Sequence, residues 1–150
     1  MNRNLLASDR AAVVASIDPD AYAAATYESD WVDMGMFGTI MAIIQAGDLG
    51  ASGTVDAKIE QATDGAGAGA KDVTGKAITQ LTQAGGDSNK QAIINCRVDN
   101  LDIENDFSHV RLSVTVAAAA CDLGAVVLAM DARHGSASDN DNAAVAEIVA

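Results

Sequence analysis

The segment 109–117, HVRLSVTVA, has the clearest alternation of apolar and polar residues in the chain. Its apolar positions are Val110, Leu112, Val114 and Val116, and the residues between them are His109, Arg111, Ser113 and Thr115. Successive side chains of a β-strand point to opposite faces, so this pattern predicts a strand with one buried and one outward face.

Six further segments have strand character: residues 11–17, 31–46, 54–62, 76–81, 91–98 and 124–132. The segment 31–46 is apolar on both faces, which predicts a central strand covered on both sides. Asp-Pro-Asp at 18–20 is expected to end the first strand. The sequence leaves open whether residues 21–30 form a helical turn or an extended loop. Short strands separated by Gly- and Asp-rich turns predict an all-β antiparallel sandwich, of jelly-roll or immunoglobulin-like type.

The chain has 150 residues, of which 49% are hydrophobic but only 3% aromatic. Small and β-branched side chains suit thin layers between packed sheets. We predict an N-terminal arm at 1–10, a sandwich domain at 11–134 and a C-terminal tail at 135–150. The apolar residues of the two ends are candidates for contact with partner chains: Leu5, Leu6, Val145, Ile148 and Val149.

The formal net charge of −12 makes direct binding to nucleic acid improbable, because an acidic surface repels phosphate. The same charge could complement a basic partner. The N-terminal residues lack the apolar core of a secretory signal, and the longest apolar run is interrupted by Asp122 and Gly124. We therefore expect neither a signal peptide nor a membrane span.

The glycine-rich stretch 64–76, DGAGAGAKDVTGK, invites comparison with a phosphate-binding loop. In one register Asp72 stands where the magnesium-binding hydroxyl belongs, and in the other Ala77 does. Residues 65–70 match a loose dinucleotide pattern, but a β-rich segment follows where a helix is required. The stretch is therefore interpreted as a loop between strands.

No other group of residues predicts catalysis, a cofactor or a metal site. Cys96 and Cys121 fit no zinc or redox spacing and are interpreted as buried free thiols. His109 and His134 are interpreted as surface residues. Asp102, Glu104 and Asp106 leave open a cation between loops, although the order of an EF-hand is absent. Trp31 is interpreted as a core anchor, with a sugar-stacking platform as the alternative.

Four segments resemble those of small β-sandwich structural proteins of tailed-bacteriophage virions, of the capsid decoration or cement type. They are the W-V-D at 31–33, the strand ending in Q-A-G at 40–47, the glycine-rich segment 58–75, and the closing strand ending in D-A-R at 126–133. The resemblance extends over residues 27–134 and does not reach either end of the chain.

The resemblance implies a non-enzymatic protein without a cofactor. Its implied partners are the major capsid protein and neighbouring copies of itself, as a homo-oligomer on a virion assembled in the host cytoplasm. The alternatives are a carbohydrate-binding β-sandwich module, or a structural protein of the head–tail connector or tail.

Overall fold

The computed structural model describes residues 5–149, which form two antiparallel β-sheets packed as a sandwich. Within that range the helical elements are three short 3-10 turns, at Val98–Asn100, Ile103–Asn105 and Ala137–Asn140. The ten strands are β1 (Ala11–Tyr22), β2 (Ala25–Glu28), β3 (Val32–Asp33), β4 (Phe37–Leu49), β5 (Thr54–Ala62), β6 (Lys71–Ala77), β7 (Leu81–Thr82), β8 (Gln91–Arg97), β9 (His109–Ala117) and β10 (Cys121–Ala132). The predicted all-β sandwich is confirmed.

The strand order identifies the sandwich as a jelly roll. One sheet has the order β1-β10-β4-β8, and the other has β2-β9-β5-β6 with β3 on β9 and β7 on β5. If the two-residue strands β3 and β7 are left out, eight main strands remain. They pair as first with last, which is β1 with β10, and then as β2 with β9, β4 with β8 and β5 with β6. This is the pattern of a long hairpin wrapped into two sheets, as in jelly rolls.

The core lies between the inner faces of the two sheets. Its largest fully buried side chains include Ile40 and Ile44 from β4, Ile59 from β5 and Leu112 from β9. Alanines such as Ala42 and Ala129 occupy buried positions between them. Small side chains let the two sheets approach closely, which agrees with the composition.

Strand β9 has the bounds predicted from the sequence. Val110, Leu112, Val114 and Val116 are all buried, as the alternation predicted. On the opposite face Ser113 is also buried, because its neighbours in the sheet are Glu28 on β2 and Lys58 on β5. Burial of Ser113 depends on these neighbouring strands, so the pattern of β9 alone could not reveal it.

The expectation that 18–20 ends the first strand is wrong. Strand β1 continues to Tyr22, with a register shift between Ile17 and Asp20 that accommodates Pro19. A proline is tolerated at a bulge on an edge strand because no ladder hydrogen bond is required there. Gly124 on the paired strand makes room, since a Cβ at that position would lie 3.1 Å from the Pro19 Cα. Residues 21–30, for which the sequence left a helical turn or an extended loop open, are extended: they contain the end of β1 and the strand β2.

Two further segments differ from their predicted form. Residues 31–46 are not one strand, because a turn separates β3 from β4, and the outward face of β4 is only partly covered. The strand predicted at 76–81 begins earlier, as β6, and a gap separates it from β7. Residues 71–76 of the glycine-rich stretch therefore belong to a strand, and only the part before Lys71 is a loop.

The segment after β10 lies along the free edge of β1. The Val13 N–H donates to the Asp141 carboxylate at 2.6 Å, and the Asn142 N–H donates to the Val13 carbonyl at 2.7 Å. Asp9 accepts hydrogen bonds from the Ser136 hydroxyl at 2.9 Å and from the Ala137 N–H at 3.1 Å. These contacts fix both ends of the described chain beside β1. Residues 1–4 of the predicted arm lie outside the described residues.

Across residues 5–149, no helix has both the length and the apolar character needed to cross a membrane.

Leu112, which is 0% exposed, tests the register of the sandwich. We expect Leu112→Ala to lower the free energy of unfolding by about 2–5 kcal/mol, and Leu112→Asp to prevent folding by burying an unpaired charge. The control Thr115→Ala removes only the hydrogen bond between the Thr115 and Thr26 hydroxyls, with an expected cost of about 1 kcal/mol. Urea unfolding followed by circular dichroism measures all three. A cooperatively folded Leu112→Asp variant would contradict the register.

Candidate interaction surface

The outer face of the four-stranded sheet carries apolar side chains that remain accessible to solvent. Register places Met41 beside Leu128 and Ile43 beside Val126 on the two central strands. Ile93 lies beside Ile43 on β8 and is 56% exposed. We call this surface the apolar face and define it by six residues: Met41, Ile43, Ile93, Val126, Leu128 and Met130. Contiguous apolar surface of this kind typically marks a site of protein contact.

A shallow groove of about 760 Å³ adjoins the apolar face at the end of the sheet where β1 bulges. Its lining includes Ile43 and Val126, and it passes over Gly124, which has no side chain to fill the space. Three aspartates, Asp18, Asp20 and Asp122, also line it, and its lining contains no lysine or arginine. No ion pair between described residues involves any of these three carboxylates. The groove therefore combines apolar surface with negative charge.

The five candidate partner-contact residues lie at the two ends of the described chain. Leu5, Leu6 and Ile148 are each 44–49% exposed, and Val149 is 85% exposed. Val145 is half-buried. About half of the surface of Leu5, Leu6 and Ile148, and most of that of Val149, is therefore uncovered within the single chain. Leu5 and Leu6 precede β1 at the end of the strand opposite the groove.

The outer face of the six-stranded sheet is different in kind, because charged side chains connect its strands. The Arg111 guanidinium contacts the carboxylates of Glu28 and Glu60, each at 2.7 Å. The Lys58 ammonium contacts Glu60 at 3.2 Å and Asp72 at 2.6 Å. The hydrogen bond from Lys58 to Asp72 raises the pKa of Lys58. Both of these cations therefore have carboxylate partners within the chain.

The glycine-rich loop 64–70 packs against this charged face. Gly67 has φ +85° and approaches Trp31 so closely that a Cβ would lie 2.9 Å from the indole Nε1. The Arg111 guanidinium carbon lies 4.6 Å from the centre of the Trp31 ring. Asp64 holds the loop by accepting from the Ala66 and Ala68 N–H groups, at 2.9 and 3.0 Å. The glycines of this loop serve close packing and an unusual backbone conformation.

Trp31 is therefore neither a core residue nor an open platform. Its side chain is half-buried on the outer face, between Arg111 and the loop. The interpretation of Trp31 as a core anchor is wrong, because Trp31 precedes the two-residue strand β3 and its indole contacts Arg111 and Gly67 instead of the core. A planar guanidinium stacks favourably on an aromatic ring, and that contact uses surface that a sugar would need.

The remaining residues considered from the sequence are dispersed. Cys96 and Cys121 are buried and free, as interpreted, and burial raises the pKa of the Cys96 thiol to about 11. His134 is exposed, whereas His109 is half-buried, with its Nδ1 3.0 Å from the Ser108 hydroxyl.

The acidic connector is held by a lysine. Asp102 contacts the Lys71 ammonium at 2.5 Å, and this contact lowers the pKa of Asp102. The Lys71 ammonium also lies 4.1 Å from the centre of the Phe107 ring. Within residues 5–149, no three His, Cys, Asp or Glu side chains converge as they would around a metal ion.

The apolar face and its groove were missed at the level of sequence, although a signal was present. Residues 31–46 are apolar at odd and even positions, which led to the prediction of a strand covered on both faces. A strand whose outer apolar face is accessible to solvent has the same sequence pattern as a strand that is covered on both faces. The groove depends on the bulge at Pro19 meeting Gly124, two residues that are distant in sequence.

Gly67 tests whether the loop is packed on Trp31. Gly75 provides a matched control, because it also has positive φ (+74°) but a Cβ added there would meet no atom within 4 Å. We expect Gly75→Ala to cost about 1 kcal/mol from backbone strain, and Gly67→Ala about 2–4 kcal/mol because the indole must also move. Only Gly67→Ala should shift the fluorescence emission of Trp31. Equal costs with unchanged emission would show that the loop does not pack on the ring.

Asp64 predicts a pH dependence of stability. The Ala68 N–H, together with those of Ala66 and Gly67, lowers the Asp64 pKa below its ordinary value of 3.8. A lowered folded-state pKa means that this stabilisation is present above pH 3.8 and is lost as the pH falls through the folded value. Asp64→Asn keeps the acceptor oxygen but removes the titration.

The difference in urea midpoint between pH 6 and about pH 3 measures this effect. We expect the difference to be smaller in Asp64→Asn than in the unmodified chain. Asp48→Asn, an exposed position on β4, is the control. A pH dependence equal in Asp64→Asn and the unmodified chain would exclude a contribution from the loop carboxylate.

Comparison with known proteins gives a remote structural likeness. No protein-family model matches the chain, and no curated protein matches it. Among solved structures, a chain in the structure of infectious bursal disease virus, Gt strain, is similar, with 11% sequence identity and a TM-score of 0.44. The alignment covers 92% of this chain and 37% of that chain, so this chain spans well under half the length of its structural neighbour.

Proposed function

We propose that this chain is a virion structural protein that decorates or cements a capsid by binding across subunits of the major capsid protein. The observation that carries the proposal is the apolar face. Six apolar side chains lie on the outside of the four-stranded sheet, Ile93 exposed and the other five partly buried, with further exposed apolar residues at both ends of the chain. A protein with this surface is suited to lying flat on another protein and extending over a seam between subunits.

The resemblance of the four sequence segments supports the virion assignment, because these segments are neighbours in the fold. Residues 40–47 and 126–133 lie on the paired strands β4 and β10, where Ile43 is opposite Val126. Residues 58–75 contain Gly67, which packs on Trp31 of the segment 31–33. The segments that carry the resemblance therefore form the central strand pair of the four-stranded sheet and the contact between the glycine-rich loop and the six-stranded sheet.

The charge distribution favours one orientation on such a shell. The acidic chain would meet basic surface on the capsid protein and would not face packaged nucleic acid. Burial of the five apolar residues at the ends would contribute on the order of 5–10 kcal/mol before the cost of ordering is subtracted. Repeated over a shell, a modest net gain for each copy would strengthen the particle. This role requires neither catalysis nor a cofactor.

Co-sedimentation with particles tests the proposal. We expect the chain to sediment with virions from the cells that produce it, at a fixed copy number per shell. Ile93→Glu, on the apolar face, should reduce occupancy about tenfold, because it places a charge in a contact that excludes water. Ile103→Glu is the matched control, because Ile103 is 54% exposed, against 56% for Ile93, and lies away from this face.

Absence of the chain from purified particles would contradict the proposal. Equal losses for Ile93→Glu and Ile103→Glu would contradict the assignment of the apolar face. Electron microscopy of labelled particles would distinguish the head surface from the connector and the tail.

A further inference from the structure

We infer that the acidic groove is a receptor for the N-terminal arm of a neighbouring copy of the same chain. The inference rests on the proposal that the protein acts as many copies in an assembly, and it names the surface through which those copies contact each other. It is supported by the composition of the groove, by the composition of the arm and by the distance between them.

The groove and the arm are complementary in chemistry. Ile43 and Val126 offer apolar surface, and Asp18, Asp20 and Asp122 offer negative charge without a lysine or arginine in the lining. The first eight residues, MNRNLLAS, carry two leucines and Arg3 and contain no acidic residue. Leu5 and Leu6 are 44% and 49% exposed, so their side chains are available to a partner. Apolar contact with a complementary charge at the rim is a common arrangement in protein interfaces.

The C-terminal tail is a poorer occupant, although it is also apolar. Ile148 and Val149 follow Glu147, and the tail before them contains Asp139 and Asp141. The Glu147 carboxylate, directly before the apolar pair, would be repelled by the aspartates of the groove, whereas Asp139 and Asp141 are held by the Ser136 and Val13 N–H groups. Charge therefore selects the N-terminal arm.

Distance separates Leu5 and Leu6 from the aspartate end of the groove in the same chain. Asp20 lies nine residues along β1 from Ala11, and this separation is about 30 Å at a rise of roughly 3.3 Å per residue. Leu6 precedes Ala11 by five residues, which span at most about 18 Å when fully extended. Asp9, between them, is held by Ser136 and Ala137. The leucines therefore cannot reach Asp20. The Leu6 N–H also donates to the Asp9 carboxylate at 2.9 Å, which holds Leu6 in a turn before β1. We assign the groove, with its aspartate end, to the arm of another copy.

This geometry defines the type of contact. The arm leaves one end of β1 and the groove lies at the other, so the two contacting surfaces are different. Two copies that exchange arms form a two-fold dimer, and copies that each insert an arm into the next one form a closed ring or an open chain.

A labelled peptide of residues 1–8 tests the contact on the free protein. The receptor is the full chain with Leu5→Ser and Leu6→Ser, which removes competition from its own arms. We expect saturable binding that weakens as salt is added, and a loss of at least threefold when Asp20→Asn and Asp122→Asn are introduced together. Asp48→Asn, an exposed aspartate outside the groove, should leave the affinity unchanged. The peptide with both leucines replaced by serine should not bind.

Three results would overturn the inference: no saturable binding up to about 1 mM peptide, equal affinity for the receptor with and without the groove substitutions, or groove variants that self-associate normally but no longer sediment with particles. The last result would assign the groove to a shell protein. Peptide binding without particle binding would instead contradict the proposed function alone, and particle binding without peptide binding would contradict this inference alone.

Discussion

The pairing of β4 with β10 is the constraint on which the rest of the structure depends. Together with β1, these are the longest strands of the structure. Their pairing extends from Phe37 opposite Ala132 to Leu49 opposite Cys121. Each also pairs with an edge strand, β8 or β1. A slip of one residue would turn Ile40 and Ile44 outward and bury Met41 and Ile43. The register therefore determines both the core and the apolar face.

The two sheets use their outer faces in opposite ways. On the six-stranded sheet, Arg111 and Lys58 bring together carboxylates from neighbouring strands, and the glycine-rich loop covers the edge of Trp31. On the four-stranded sheet, the apolar face stays accessible and the carboxylates of the groove have no ion-pair partner among the described residues. On one face the cations Arg111 and Lys58 have carboxylate partners within the chain, whereas on the other the apolar side chains and the aspartates are open to contact with another molecule.

The glycine-rich stretch shows how a local motif changes meaning in a fold. Its glycines and lysines suggest a phosphate cradle, but the backbone N–H groups of Ala66 and Ala68 are already directed at Asp64. Lys71 contacts Asp102 instead of an anion from solvent. A carboxylate within the loop occupies the position that a bound phosphate would need. The failure of both phosphate-loop registers in the sequence agrees with this arrangement.

The sequence alone determined the class of fold, because period-two alternation in segments such as 109–117 reports directly which side of a strand is buried. It also indicated the free buried cysteines. Only the tertiary structure decided the jelly-roll order, the passage of β1 through Pro19 and the position of Trp31, since each depends on residues distant in sequence. The groove is the clearest case: Pro19, Gly124 and Ile43 come from three strands, and no local pattern records that they meet. Local alternation specifies a face, whereas the neighbours of that face are specified by the register of the sheet.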